Sequence, residues 1–288
     1  IHGWLGIGLV VVAWSLNWSL SGLRTHSLFF PLWLGYCLLV DALVYFRKGT
    51  SLLSRSRRRY VGLFLISAPV WWLFELFNWR LQNWQYQGAE SFTPLQFWLW
   101  ATLNFSTVIP AVFGSAELLG SFGWIRKIGK GLIISTDRRT TGAFFLVGLI
   151  MLALMFVFPR LFFPFAWLSV YFVLEPLNVY LGNRNLAAHT ARGDWRPVLA
   201  LWAGTLLTAL FWEMWNYFSY PKWVYHIPWG DALHIFEMPL LGYGGYLPFS
   251  LELYAMYHLL VGWLGDKKGD YVQIVSASPE LMSDRQAS

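Results

Sequence analysis

Apolar residues in this chain run together in long stretches separated by short polar joins. The stretches are 3–20, 28–46, 61–78, 94–118, 142–158, 161–181, 198–218 and 248–264. Each reaches or approaches the roughly 20 residues that a helix needs to cross a bilayer. The pattern predicts an all-α, polytopic membrane bundle of about eight transmembrane helices. One segment breaks it: Pro228–Leu247 is too rich in Gly and Pro for a plain helix. A short surface helix around Gly230–Glu237 and a turn at Gly242–Gly245 are expected there. Non-helical backbone at membrane depth must be buried in protein or line a wet cavity.

The stretches also repeat. Leu28, Phe29, Phe30 and Pro31 recur as Leu161, Phe162, Phe163 and Pro164. Trp33 stands eight residues before Asp41, and Trp167 eight before Glu175. Glu75 and Asn78 recur about 138 residues later as Glu213 and Asn216. Trp84 and Tyr86 match Trp223 and Tyr225, and Pro110 matches Pro248. Correspondences kept in one order imply two parallel four-helix repeats, 1–141 and 142–264, followed by a C-terminal tail, 265–288. Four spans per half keep both halves in the same orientation, so the expected axis is a pseudo-twofold along the membrane normal.

Composition sharpens this. Of 288 residues, 57% are hydrophobic and only 12% charged, against about 25% charged in a soluble domain. A pI near 9.4 would suit nucleic acid, but the placement of the charges argues against such a partner. The joins 47–60, 119–141 and 183–197 and the tail hold 17 of the 21 Lys and Arg. The others are Arg24, Arg80, Arg160 and Lys222. By the positive-inside rule both termini are expected in the cytoplasm, in a multi-pass protein of the inner membrane. Arg55, Arg57, Arg58 and Arg59 then set topology and meet anionic lipid head groups. The first stretch has no small-residue cleavage site, and Trp4, Trp14 and Trp18 mark it as a retained helix. The single cysteine, Cys37, excludes a disulfide framework.

Candidate chemistry lies in the carboxylates Asp41, Glu75, Glu117, Glu175, Glu213 and Glu252, all in or at the ends of apolar spans. An ionisable group at membrane depth is a functional-site hypothesis by default. Glu75 with Asn78, and Glu213 with Asn216, are i,i+3 pairs that share one helix face. They are the candidate catalytic residues, expected to face the seam between the halves. The alternative is that they tie helices together by hydrogen bonds. Trp212, Trp215, Trp72, Tyr225 and Trp223 are the candidate substrate-binding rings; the aromatic belts of the two membrane interfaces account for most other Trp and Tyr. His226 and His234, with Asp231 and Glu237, share one outer stretch, but their spacing matches no metal motif, and no metal or other cofactor is expected. The sequence has no phosphate loop, GxSxG or HExxH.

Trp223 and Tyr225, the Gly-rich turn, and Leu247 and Pro248 with Glu252 soon after resemble the repeat of membrane-embedded lycopene cyclase domains. The resemblance covers about 50 residues of each half. It implies a duplicated helical bundle that protonates a double bond of a linear carotenoid. Here Phe249, Ser250 and Leu251 intervene before a lone Glu252, and the equivalent position after Pro110 is Gly114. The runs Phe236–Pro239 and Gly245–Phe249 also look like those of uncharacterised bacterial membrane proteins.

Three functions are therefore open. One is an enzyme for an isoprenoid, carotenoid or lipid substrate, with Glu213 and Glu75 as proton donor and relay and Trp212, Trp215 and Trp72 shielding a carbocation. Another is a non-catalytic subunit, with a protein partner on the cytoplasmic face holding the tail. The third is a proton-coupled transporter.

Overall fold

A computed structural model describes residues 1–275, which are mostly helical. Helix α1 (His2–Ser19) is followed by α2 (Thr25–Lys48), a short α3 (Leu52–Arg55) and α4 (Arg57–Leu81). Strand β1 (Trp84–Gln87) leads to α5 (Pro94–Phe105), α6 (Val108–Gly120) and the short α7 (Gly123–Arg126). Then come α8 (Arg138–Val157), α9 (Pro159–Phe162), α10 (Ser169–Leu181), α11 (Ala187–Thr190) and α12 (Arg196–Tyr217). Strands β2 (Lys222–Tyr225), β3 (His234–Ile235) and β4 (Met238–Pro239) precede the last helix, α13 (Tyr246–Trp263).

Local chemistry fixes several boundaries. Ser56 caps α4 through its hydroxyl, and Thr93 with Gln96 forms a capping box on α5. Pro94 takes the first position of α5, where its missing N–H costs nothing. The break between α5 and α6 is closed by side chains. Ser67 donates to the Phe105 carbonyl at 2.6 Å and accepts from the Ile109 N–H at 3.0 Å. Thr107 donates to the Asn104 carbonyl at 2.8 Å. Backbone groups freed at membrane depth need such partners.

Five spans are long and apolar enough to cross a membrane: α2, α4, α5 with α6, α8 and α12. A sixth arises if Pro159–Trp167 and Ser169–Leu181, bent by 42° at their junction, form one span. The remaining two of the eight expected stretches are α1 and α13, helices of 18 residues each. His2, Asn17 and three Trp dilute α1, and Glu252, His258 and three Tyr dilute α13. The latter is buried continuously from Phe249 to His258, so protein and not lipid dictates its composition.

Two local expectations change. The run Leu28–Pro31 stays helical inside α2, whereas Phe163–Trp167 becomes a 3-10 turn. The expected surface helix at Gly230–Glu237 is instead a hairpin: His234 faces Pro239 and Ile235 faces Met238. Phe236, the first residue of its two-residue loop, has φ +59°, the geometry that suits a tight hairpin and ends a helix.

One end of the bundle gathers the basic joins. The Arg55 guanidinium bonds Glu117, and Arg59 lies 3.2 Å from Asp266. The Arg184 N–H donates to the Lys267 carbonyl at 3.0 Å, and that of Gly131 to Gly193 at 2.8 Å. His2 lies 3.2 Å from Asp41, which accepts from Ser51 at 2.7 Å, so the start of the chain is at this end too. The first part of the expected tail is held by the chain itself. Tyr271, Val272 and Ile274 are buried. Tyr271 donates to the Leu52 carbonyl at 2.8 Å, and the Gln273 N–H to Glu117 at 2.7 Å. The rest of the tail, 276–288, and its expected partner contact lie outside the described residues.

The packing has a repeated neighbour order. Helix α1 packs on α2, α2 on α6 and α6 on α4; α8 packs on α10, α10 on α13 and α13 on α12. Helices α1 and α2 touch through Gly6 and Gly35, where a Cβ on Gly35 would lie 2.9 Å from the Gly6 carbonyl oxygen. Such backbone contact replaces the hydrophobic drive that lipid removes. Across the middle, α6 lies against α12. There Trp33 packs on Trp212, with centroids 5.3 Å apart, and Trp167 on Phe74 at 5.7 Å.

Candidate functional site

The site grows from the ends of α4 and α12, opposite the basic end. The Asn78 side chain accepts the N–H groups of Asn83 at 2.8 Å and Trp84 at 3.2 Å, and donates to the Trp84 carbonyl at 2.8 Å. Asn216 does the same for Trp223: it accepts the N–H at 3.0 Å and donates to the carbonyl at 2.7 Å. Each amide therefore clamps the start of a strand onto its own helix. The clamped strands then pair antiparallel, Trp84 with Tyr225, Gln85 with Val224 and Tyr86 with Trp223. Alternate residues of a strand share a face, and directly opposite residues face the same side. Trp84, Tyr86, Trp223 and Tyr225 consequently form one aromatic face of a two-stranded ribbon.

Side chains of that face bond two carboxylates. Glu75 Oε1 accepts from Trp71 Nε1 at 3.0 Å, Trp84 Nε1 at 3.1 Å and Tyr86 Oη at 2.5 Å. Glu213 Oε1 accepts from Tyr225 Oη at 2.7 Å and Tyr246 Oη at 2.6 Å. Trp223 Nε1 in turn donates to Tyr225 Oη at 2.9 Å. Glu213 is fully buried, and its Oε2 has no partner among the described residues. A carboxyl with one oxygen held and the other spare can carry a proton on the spare oxygen.

In front of the ribbon is a cavity of about 600 Å³, within the range of about 300–1,000 Å³ common for small-molecule sites. Its wall is overwhelmingly apolar and drawn from both halves: Trp71, Trp84 and Phe105 from one, Trp167, Trp212 and Phe249 from the other. Tyr86, Tyr225 and Tyr246 line it, while neither Glu75 nor Glu213 does. The tyrosines thus touch both the cavity and the carboxyls. A second hollow of about 350 Å³ at Trp79–Gln82, Pro159 and Arg160 carries no carboxylate.

Of the rings singled out by sequence, Trp212, Trp223 and Tyr225 line the cavity. Trp215 sits in the core against Trp14, Trp33 and Tyr36. Trp72 stacks on Trp98 at 4.1 Å and donates to Thr102. Asn78 and Asn216 hold strands and stay out of the cavity wall. The other four carboxylates bind backbone N–H groups. Asp41 takes that of Leu53, Glu117 that of Gln273, Glu175 that of Ala187 and Glu252 that of Val170. His234 pairs with Asp231 at 3.0 Å and Glu237 with Lys222; among the described residues no three His, Cys, Asp or Glu are placed to hold a metal.

Trp71 and Tyr246 were missed as site residues, though each left a trace. Trp71 stands four residues before Glu75, one helical turn away on the same face. Tyr246 belongs to the Gly245–Phe249 run. The polar wall residues His26, Asn83 and Asn104 left none. Comparison with protein-family models, curated proteins and solved structures finds no match to this chain.

Proposed function

We propose that this is an inner-membrane protein built from two repeats, 1–141 and 142–264, that binds an unsaturated isoprenoid between them and moves protons to and from it. The observation that carries the reading is the set of three Tyr–Glu hydrogen bonds on the wall of one aromatic cavity. The strand register supports the repeats: Trp84 faces Tyr225 as Tyr86 faces Trp223, the reciprocal pairing of a twofold contact. Gathering of the basic joins at one end supports a cytoplasmic location for both termini, with lipid around the bundle as its other partner.

The chemistry balances without an oxidant or reductant. Glu213, as the acid, turns its protonated oxygen to Tyr225 or Tyr246 and passes the proton to that hydroxyl, which gives its own to a ligand C=C. The π pair forms the new C–H bond and leaves a carbocation, which the faces of Trp84, Trp212 and Trp223 stabilise. Loss of a neighbouring proton to Tyr86, and from there to Glu75, restores a C=C in an isomerised or cyclised product. Exchange with water resets the two carboxyls. Glu213 and Glu75 act through the tyrosines, so they are positioning and proton-storing groups. The resemblance to lycopene cyclase domains points to the same reaction class.

The test is turnover of a linear polyene isoprenoid in deuterium oxide, with products read by mass spectrometry. One deuterium per product is expected, with a rate loss of at least about 10²-fold in Glu213→Gln, which cannot deliver a proton. Recovery of unchanged, unlabelled polyene from folded protein would sink the catalytic reading. Because neither carboxyl lines the cavity, binding without chemistry is the second reading. It predicts saturable binding and no label.

A further inference from the structure

Inside the aromatic wall, one group of side chains has unused hydrogen-bonding capacity. Asn83 is 3% exposed, and neither its Oδ1 nor its Nδ2 has a partner among the described residues. Its backbone is fixed: the N–H binds Asn78, and the carbonyl accepts from the His226 N–H at 2.7 Å. The amide is therefore held in place and spare. The other buried asparagines, Asn17, Asn178, Asn183 and Asn216, each use at least one side-chain atom.

Asn104 Oδ1 and His26 Nδ1 are likewise buried and unpartnered, and all three residues line the same cavity. His26 packs on Trp100 at 4.9 Å, one helical turn before Asn104 on α5, so His26 and Asn104 share one region of the wall. Buried amides without partners are rare and costly, and they ask for an explanation.

Resting on the reading of the cavity as an isoprenoid site, we propose that its ligand carries a single hydroxyl head, bound by Asn83. Asn83 Oδ1 requires a donor, and Asn83 Nδ2 requires an acceptor. A hydroxyl is both at once, whereas a carbonyl is only an acceptor. A hydrocarbon supplies neither. A phosphate needs a cation, and the nearby ones are occupied: Lys222 is paired with Glu237, and Arg24 donates to the carbonyls of Asn17, Gly22 and Phe218. Lys222 precedes Trp223 as Asn83 precedes Trp84. One repeat thus offers a free amide where the other offers a closed ion pair, which is why one head is inferred and not two.

Three probes with one chain test this on the full-length protein in lipid nanodiscs: tritiated geranylgeraniol, the tritiated hydrocarbon lacking its hydroxyl, and geranylgeranyl diphosphate as competitor. The alcohol is expected to bind at least about tenfold tighter than either of the others. Asn83→Leu should remove that advantage, bringing alcohol and hydrocarbon to similar affinity. If Asn83→Leu does not fold, judged by its thermal midpoint, Asn83→Ala makes the same comparison. Saturable hydrocarbon binding as tight as that of the alcohol, or an alcohol affinity untouched by both substitutions, overturns the hydroxyl head and leaves the isoprenoid cavity standing. Absence of saturable binding by all three overturns both.

Discussion

Glu213 concentrates the residue-scale argument. A carboxyl wholly removed from water survives only with hydrogen bonds or a bound proton, and here two tyrosine hydroxyls converge on one of its oxygens. The amide of Gln keeps an acceptor in that place, whereas Leu leaves both hydroxyls without one. Glu213→Gln should therefore purify with nearly the parent's stability. Glu213→Leu should lose about 1–3 kcal/mol for each stranded hydroxyl, read as a clear fall in thermal midpoint. Equal midpoints for the two variants would remove Glu213 from the network that holds the ribbon.

Among the elements, the segment 265–275 makes a sharp case. It lies on the basic end because Glu117, Lys48 and Arg55 all bind its backbone: Glu117 accepts from the Gln273 N–H, Lys48 donates to the Gln273 carbonyl, and Arg55 donates to that of Tyr271. Gly120, at the end of α6, lets the Ile274 carbonyl approach so closely that an added Cβ would overlap it. Gly120→Val should displace the strap. A cysteine at Val272, fully buried in the parent, should then be labelled at least about tenfold faster, the factor that each ~1.4 kcal/mol of lost docking produces. Unchanged labelling would mean that the strap does not depend on this contact.

Much of this level was legible in the apolar runs, because lipid forces long helical stretches. What escaped were features set by tertiary contact. The run Leu161–Pro164 copies Leu28–Pro31, yet it breaks where the earlier copy stays helical. Sequence spacing put Glu75 with Asn78 and Glu213 with Asn216 on common faces, and the bonds confirm that each pair serves one ribbon. It could not say that the amides would bind strand backbone, since those partners lie in a loop beyond the helix. Trp212 and Trp215 both flank Glu213 in sequence; only the packing of α12 on α6 and α13 turns the first to the cavity and the second to the core.

At the scale of the whole molecule, residues 1–141 and 142–264 meet through α6 against α12, through α4 against α13 and α9, and through the ribbon. The ribbon lies away from the basic end and carries four aromatic rings to the cavity wall. Pairing a strand from each half makes the site depend on both, so neither half encloses it alone. The two matched stretches differ chemically: Glu75 takes three donors and Glu213 two, and Asn83 keeps a spare amide where Lys222 makes an ion pair.

The central claim is that this cavity holds an isoprenoid. The most direct measurement is quenching of tryptophan fluorescence by all-trans retinol, a polyene isoprenoid alcohol that absorbs where tryptophan emits, with the full chain in nanodiscs. Trp71, Trp84, Trp212 and Trp223 all line the cavity, so a ligand there lies within reach of several donors at once. Ala101, also in the wall, provides the control, because Ala101→Trp fills the space with a bulky ring. The account predicts saturable quenching with one retinol per chain in the parent, and affinity at least about tenfold weaker in folded Ala101→Trp, a loss of ~1.4 kcal/mol. Quenching that rises linearly with retinol, or that saturates equally in both proteins, would contradict it.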